Sequence, residues 1–189
     1  MGSRPAGQKK GVPFGLLNLL SGAVMIVFGM SRETSDFWAD CLALWWERTR
    51  DTASGIKRLM IRLDNGQCCA SNRRQWIKRL VAFADRTGLE IHLVHYPPYH
   101  SKYNPIERVW GILEKHWNGA LLTDMELAMK WASTMTWEGA HPEVLRLEQS
   151  YEKGVTVSKE EWKQLEARLE RSPTLPKWDV IIKPKTQIG

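Results

Sequence analysis

The sequence predicts an α/β fold, and two observations support this prediction. Residues 58–63 and 90–95 are apolar segments joined by an amphipathic helical pattern, which indicates a strand–helix–strand crossover with parallel strands. Two further apolar runs, at 14–20 and 23–28, are separated by a tight-turn sequence that contains Gly22, and they predict a β-hairpin. With 189 residues, of which 43% are hydrophobic, the chain is long enough to bury a full core.

The N-terminal segment allows two interpretations. Residues 1–11 are polar and contain no acid, which predicts a disordered lead-in. The mostly apolar stretch 12–30 follows basic residues and resembles a membrane anchor, but Asn18 and several glycines interrupt it. We therefore favour the hairpin and expect no membrane association, and the anchor remains the alternative.

Cysteine usage favours a reducing compartment. Cys41 stands apart from the adjacent pair Cys68 and Cys69, a spacing that forms neither a disulfide framework nor a metal-binding C-x-x-C pair. His92 and His95 do not predict a shared metal either, because residues three apart on a strand point to opposite faces. We expect a cytoplasmic protein with unreactive thiols.

Helical patterns follow the hairpin and the first strand of the crossover. Thr34 or Ser35 can cap a helix that runs to about residue 50, and Asn72 starts a second helix that ends at Gly88. The apolar positions of this second helix form one stripe that we expect to be buried, made of Trp76, Ile77, Leu80, Val81 and Ala84.

The C-terminal half predicts three more helices before an extended end. They cover residues 104–117, 124–135 and 158–171, and Ser158 forms a capping box with Glu161 at the start of the last one. The predicted organisation is a lead-in at 1–11, a main domain at 12–139 and a helical C-terminal extension at 140–189.

Two acids stand where α/β folds usually place functional groups. Asp64 ends the first strand of the crossover, and Glu107 lies in the first turn of the helix that follows the second strand. Carboxylates of this kind can hold the two divalent ions used in phosphoryl transfer, and Mg²⁺ suits such a site. Each acid also has a structural alternative. Glu107 can complete a capping box with Asn104, and Asp64 can stabilise the turn that continues into Asn65.

The charge balance favours an anionic partner such as nucleic acid. Lys and Arg total 27 against 21 Asp and Glu, which gives a net charge of +6 and a pI near 9.3. Tyrosines near Glu107 add aromatic faces that suit a bound DNA end, whereas a basic helix face is also common without any DNA contact. The candidate DNA-binding residues are Arg73, Arg74, Lys78, His100, Lys102 and Arg108.

Several segments resemble the DDE transposases of bacterial insertion sequences, in particular the ISAzo type related to the mariner-like group. The resemblance extends from about residue 12 to residue 182. Short pieces such as the Asn-Pro-Ile-Glu sequence at 104–107 would be weak alone, but their order makes the match specific. The segments are residues 63–66, 96–111, 116–119, 134–139, 167–173 and 175–179.

This resemblance implies an RNase H-like catalytic domain, a mixed sheet flanked by helices. In the family, three acids bind two Mg²⁺ ions, for which Mn²⁺ can substitute, and direct water and then a DNA 3′-hydroxyl at phosphodiester bonds. Asp64 matches the second acid and Glu107 the third. The implied partners are DNA, as insertion-sequence ends and target, and another transposase chain, either a copy of this one or an intact transposase.

The chain departs from the family pattern at the first acid. That acid belongs on a strand before the hairpin, but the first acid of this chain is Glu33. We expect the strand to lie upstream of residue 1, so that the 189 residues are an N-terminally truncated transposase with little turnover. Without that strand, the exposed hairpin edge favours self-association. The alternative is a module that binds DNA or a transposase without catalysis.

Overall fold

The computed structural model describes residues 11–97, 100, 103–117 and 125–185. Within these residues the chain forms seven strands and five helices. In chain order they are β1 (Val12–Leu17), β2 (Val24–Gly29), α1 (Ser35–Thr49), β3 (Arg58–Leu63), α2 (Arg74–Thr87), β4 (Glu90–His95), α3 (Ile106–Trp117), α4 (Met125–Thr134), β5 (Glu143–Leu147), α5 (Lys159–Glu166), β6 (Leu169–Arg171) and β7 (Asp179–Ile182).

The chain divides into two compact units, each built from two separate segments. Unit 1 comprises Met1–Glu33 and Pro105–Tyr151, and unit 2 comprises Thr34–Asn104 and Glu152–Gly189. Each unit contains one mixed sheet with helices. This mixed α/β architecture is consistent with an RNase H-like fold.

The predicted hairpin is confirmed in unit 1. β1 and β2 pair antiparallel from Val12 opposite Gly29 to Leu17 opposite Val24. At the turn, the Asn18 side chain accepts a hydrogen bond from the backbone N–H of Leu20 at 3.0 Å. Gly22 has a φ of +73°, in the left-handed region that favours glycine. The apolar stretch is therefore strand and turn, and no helix in the described part of the chain is long and apolar enough to cross a membrane.

The central strand of unit 1 is β2, which also pairs with β5 in parallel. All six β2 residues are buried because both edges of the strand are paired and helices supply further apolar side chains. The core around β2 consists of Val24, Ile26, Phe28, Val109, Leu113, Met125, Ala128, Ala132 and Met135. The apolar residues that recur at helical spacing along α3 and α4 thus cover the sheet.

The predicted crossover is confirmed in unit 2, where β3 and β4 pair in parallel on either side of α2 in sequence. The sheet continues through β7 to β6. One face of this sheet shares a core with α1 and α2, in which the whole predicted stripe of α2 is buried. Gly88 ends α2 in the left-handed conformation, as predicted.

Several boundaries differ from the predictions. α2 begins at Arg74 rather than Asn72, because the backbone N–H of Arg73 closes a preceding turn on the Ala70 carbonyl at 2.8 Å. The last predicted helix starts at Ser158, whose hydroxyl accepts from the Glu161 N–H, but it ends at Glu166. The reason is that Leu169–Arg171 pairs with β7 as a strand.

Three strands of the C-terminal part, Glu143–Leu147, Leu169–Arg171 and Asp179–Ile182, were not predicted from the sequence. The strands form two sheets because β2 takes β5 as its second neighbour, whereas β4 takes β7. Residues 140–185 thus supply three strands and only one helix of eight residues. β5 and β7 pair with β2 and β4, which are distant in sequence, and β6 is only three residues long, so no local pattern revealed these strands.

Two glycines on helices provide a matched test of the backbone assignments. Gly88→Ala should destabilise the protein by about 1 kcal/mol, because alanine is strained at a φ of +73° although its Cβ would meet no atom within 4 Å. Gly111→Ala within α3, which is equally open, should stabilise it by up to about 1 kcal/mol. Urea unfolding would measure both, and changes of the same sign would contradict the assignments.

Candidate catalytic site

Asp64 immediately follows β3 in unit 2, at the carboxyl end predicted from the sequence. The ladder between β3 and β4 continues to this point, because the Tyr96 N–H donates to the Leu63 carbonyl at 3.0 Å. On the other side, the Cys69 thiol donates to the Asp64 carbonyl at 3.1 Å. The backbone of Asp64 is therefore fixed from both sides, and its side chain is half-buried.

The Asp64 carboxylate accepts one side-chain hydrogen bond. The Asn104 amide donates to its Oδ1 at 3.4 Å, a long and weak bond. Asn104 is buried, so its amide has a restricted position. Among the described residues no second hydrogen bond to this carboxylate is found, which leaves Oδ2 available to a cation.

The loop after Asp64 is held by groups to which the sequence analysis assigned no role in this loop. His95 lies buried at the end of β4, and its Nε2 bonds the Cys69 carbonyl at 3.0 Å. The Ser35 hydroxyl donates to the Cys68 carbonyl at 2.7 Å, and the Ser71 hydroxyl donates to a carbonyl near β7 at 2.8 Å. These bonds join residues far apart in sequence. The sequence feature that could have indicated the His95 contact is the short apolar strand that ends in this histidine.

The two histidines of β4 point to opposite faces, as predicted. His92 pairs with Asp179 at 3.0 Å, whereas His95 is directed into the core side of unit 2. Burial lowers the pKa of His95, against the opposing effect of its bond to the Cys69 carbonyl. The ring is therefore neutral near pH 7, with the Nε2 hydrogen directed at that carbonyl.

Glu107 lies in the first turn of α3 in unit 1 and is exposed. α3 is oriented by Val109 and Leu113, which are fully buried in the core of unit 1. Arg108 is exposed beside Glu107, and its backbone N–H donates to the Pro105 carbonyl at 3.1 Å. The two candidate acids thus belong to different units, joined in the chain through Asn104.

The loop between β4 and α3 carries an aromatic pair. His100 and Tyr103 are stacked, with 5.8 Å between ring centroids and 28° between the ring planes. Tyr103 is 62% exposed. Lys102 and Tyr99 lie outside the described residues.

The family model described as the Rhodopirellula transposase DDE domain matches residues 4–184 of the chain. The chain belongs to this DDE transposase family. No curated protein and no solved structure matches the chain significantly. Membership points to a role in DNA transposition, with DNA as the partner and a divalent metal ion as the usual cofactor.

The basic face of α2 in this DDE domain is partly occupied by contacts within unit 2. The Arg74 guanidinium lies 5.6 Å from the centre of the Trp162 ring and 3.4 Å from the Val157 carbonyl. Lys78 pairs with Glu161 at 2.9 Å. Arg73 is exposed. A phosphate at Arg74 or Lys78 would therefore compete with the contacts to α5 and the segment before it.

The donor groups of the described residues do not form a complete metal centre. Among the described residues, no group of three or more His, Cys, Asp or Glu side chains could hold a metal ion. Asp64 fits a hard divalent cation individually, since it offers a carboxylate oxygen on a fixed backbone at a strand terminus. Asp64 can thus contribute to a metal site but does not complete one.

The buried His95 makes the stability of the domain depend on pH. Because burial lowers its pKa below the ordinary 6.5, the unfolded chain binds the proton more readily than the folded chain. Its contribution to stability is complete above about pH 6.5 and is lost as the pH falls, at no more than ~1.4 kcal/mol per pH unit. When urea unfolding is measured across this range, the free energy of unfolding should change less steeply with pH in His95→Gln than in the wild type.

The matched control is His100→Gln, which removes an exposed histidine. It should keep the wild-type dependence of the unfolding free energy on pH. An unchanged slope in His95→Gln would show that another group causes the loss of stability in acid.

Proposed function

We propose that this DDE domain acts in Mg²⁺-dependent cleavage and strand transfer at insertion-sequence ends, with Asp64 and Glu107 as two of the metal-binding acids. The observation that carries the proposal is the position of Asp64. It follows the last residue of β3, its backbone is fixed on both sides, and one carboxylate oxygen is available. The family match supplies the reaction class.

Asn104 and Asp64 would have different roles in such a reaction. Asn104 donates to Oδ1 of Asp64 and so orients the carboxylate, leaving Oδ2 for the cation. A bound Mg²⁺ would activate the attacking hydroxyl and stabilise the leaving oxygen. The bond from the Cys69 thiol to the Asp64 carbonyl and the bond from the Tyr96 N–H to the Leu63 carbonyl restrict the motion of the backbone at Asp64, which reduces the reorganisation required when substrate binds.

The inclusion of Glu107 rests on sequence and exposure. It follows Asn104 by three residues, it stands in the third-acid position of the family pattern, and its residue is exposed. Its alternative role in a capping box requires a bond to the Asn104 backbone, which is a different group from the amide that contacts Asp64. The backbone N–H of Asn104 could therefore donate to Glu107 while its side-chain amide donates to Asp64.

DNA contacts are proposed at two places. The stacked pair of His100 and Tyr103 offers an exposed aromatic surface for a base at a DNA end. The exposed Arg73 and Arg108 offer charges for phosphates, and Arg74 and Lys78 can join them only by releasing their contacts in unit 2. Lys102 completes the proposed set.

A second candidate function is DNA binding without catalysis. It is favoured by the excess of basic residues, since Lys and Arg total 27 against 21 Asp and Glu. In this case the chain would occupy DNA or associate with an intact transposase. Its basic charge of +6 would supply the electrostatic attraction.

Metal binding provides the direct test of the proposed acids. In Mn²⁺ titrations followed by electron paramagnetic resonance, Asp64→Asn and Glu107→Gln should each weaken binding by roughly tenfold or more, because each removes a charged ligand. The controls are Asp51→Asn and Glu114→Gln, which remove exposed acids elsewhere in the same two units. Equal effects in test and control variants would exclude specific ligation.

Cleavage and retention on DNA separate the two candidate functions. The protein should bind DNA in a salt-dependent way under both candidate functions, because its net charge is +6. Cleavage of end-sequence DNA with Mg²⁺ that is abolished by Asp64→Asn would support catalysis, whereas binding without cleavage would support the second candidate. An absence of DNA affinity at low salt would exclude both candidates.

A further inference from the structure

Arg62 lies on β3 two residues before Asp64. Along β3 the side chains alternate, with Leu59, Ile61 and Leu63 directed towards the core of unit 2. Arg62 belongs to the opposite face and is exposed. Asp64 follows Arg62 by two residues, which corresponds to about 7 Å between the two Cα atoms of an extended chain.

Other charged residues on this face have charged neighbours that compensate them. Arg58 is opposite Glu90 on β4 and forms an ion pair with it at 2.5 Å. His92, also on β4, is 3.0 Å from Asp179 on β7. The pairs are built by strand register, since directly opposite or diagonal residues approach closely.

The charge of Arg62 is not compensated in this way. Its partner in the register is Val94, an apolar residue. In the part of the chain that the structure describes, no ion pair joins Arg62 to Asp64 or to any other acid. Arg62 is therefore an exposed cation two residues before Asp64, on a strand whose other arginine, Arg58, is paired with Glu90.

An arginine in this position suits a DNA phosphate. Guanidinium is always charged and presents planar N–H donors that match a phosphate in a bidentate way. Asp64 alone would repel a phosphodiester, and a divalent ion at Asp64 would attract one phosphate only. A nearby cation can hold the next phosphate of the strand and so fix the position of the reacting one.

We propose that Arg62 binds a phosphate of the DNA strand next to the phosphodiester that reacts at Asp64. This inference rests on the proposed function, because it takes Asp64 as the metal ligand. Arg62 is a substrate-binding residue in this account and takes no part in proton transfer. Its contribution is electrostatic and geometric, independent of DNA sequence.

The first test measures DNA affinity of the full chain against NaCl concentration, by fluorescence anisotropy with a labelled duplex. Arg62→Gln should lower the affinity about tenfold at low salt and reduce the salt slope by about 0.9, the value for one phosphate contact. Arg62→Lys should keep the slope but lose part of the affinity, because it keeps the charge without the bidentate geometry.

The matched control removes the neighbouring ion pair without changing net charge. The double variant Arg58→Gln, Glu90→Gln alters the same strand face and should leave the salt slope at the wild-type value. Circular dichroism and urea midpoints of all variants establish that they fold. A wild-type slope in Arg62→Gln, or an equal loss in the control, would overturn the assignment of Arg62.

The second test asks whether Arg62 acts beside Asp64. With Mn²⁺ present, the affinity losses of Arg62→Gln and Asp64→Asn should be non-additive, since both act on neighbouring phosphates of one strand. Additive losses would overturn the proposed adjacency. A different result would contradict the proposed function, namely that Asp64→Asn leaves Mn²⁺ binding unchanged. This result does not depend on the salt slope measured for Arg62→Gln.

Discussion

The parallel pairing of β3 with β4 is the constraint on which the candidate site depends. It aligns Leu63 with His95, so the ends of the two strands meet at one edge of the unit 2 sheet. His95 then holds the Cys69 carbonyl, and the Cys69 thiol holds the Asp64 carbonyl. A slip of this register by one residue would turn His95 out of the core and release the loop that carries these bonds.

Much of the fold could be predicted because its periodicity is local. The hairpin and the crossover are encoded by apolar runs with turn residues between them, and both are confirmed. The strands β5, β6 and β7 were not predicted. They are three to five residues long. The partners of β5 and β7 are β2 and β4, which are far away in the chain, and β6 is too short to show an alternating pattern.

The site shows the same division between local and distant information. The position of Asp64 at the end of a strand and that of Glu107 in the first turn of a helix follow from local patterns. The bond from Asn104 to Asp64 does not, because the sequence assigned Asn104 to a helix cap and gave no partner for its amide. Likewise the basic face of α2 was predicted, but its contacts with Trp162 and Glu161 join segments more than eighty residues apart.

The central claim is that Asp64 is a metal ligand, and the location of a bound metal ion tests it most directly. Anomalous diffraction from crystals grown with Mn²⁺ and DNA would locate the ion without reference to activity. The account predicts a peak within coordination distance of an Asp64 carboxylate oxygen, on the side away from Asn104. A Mn²⁺ ion bound elsewhere on the chain, with none at Asp64, would contradict it.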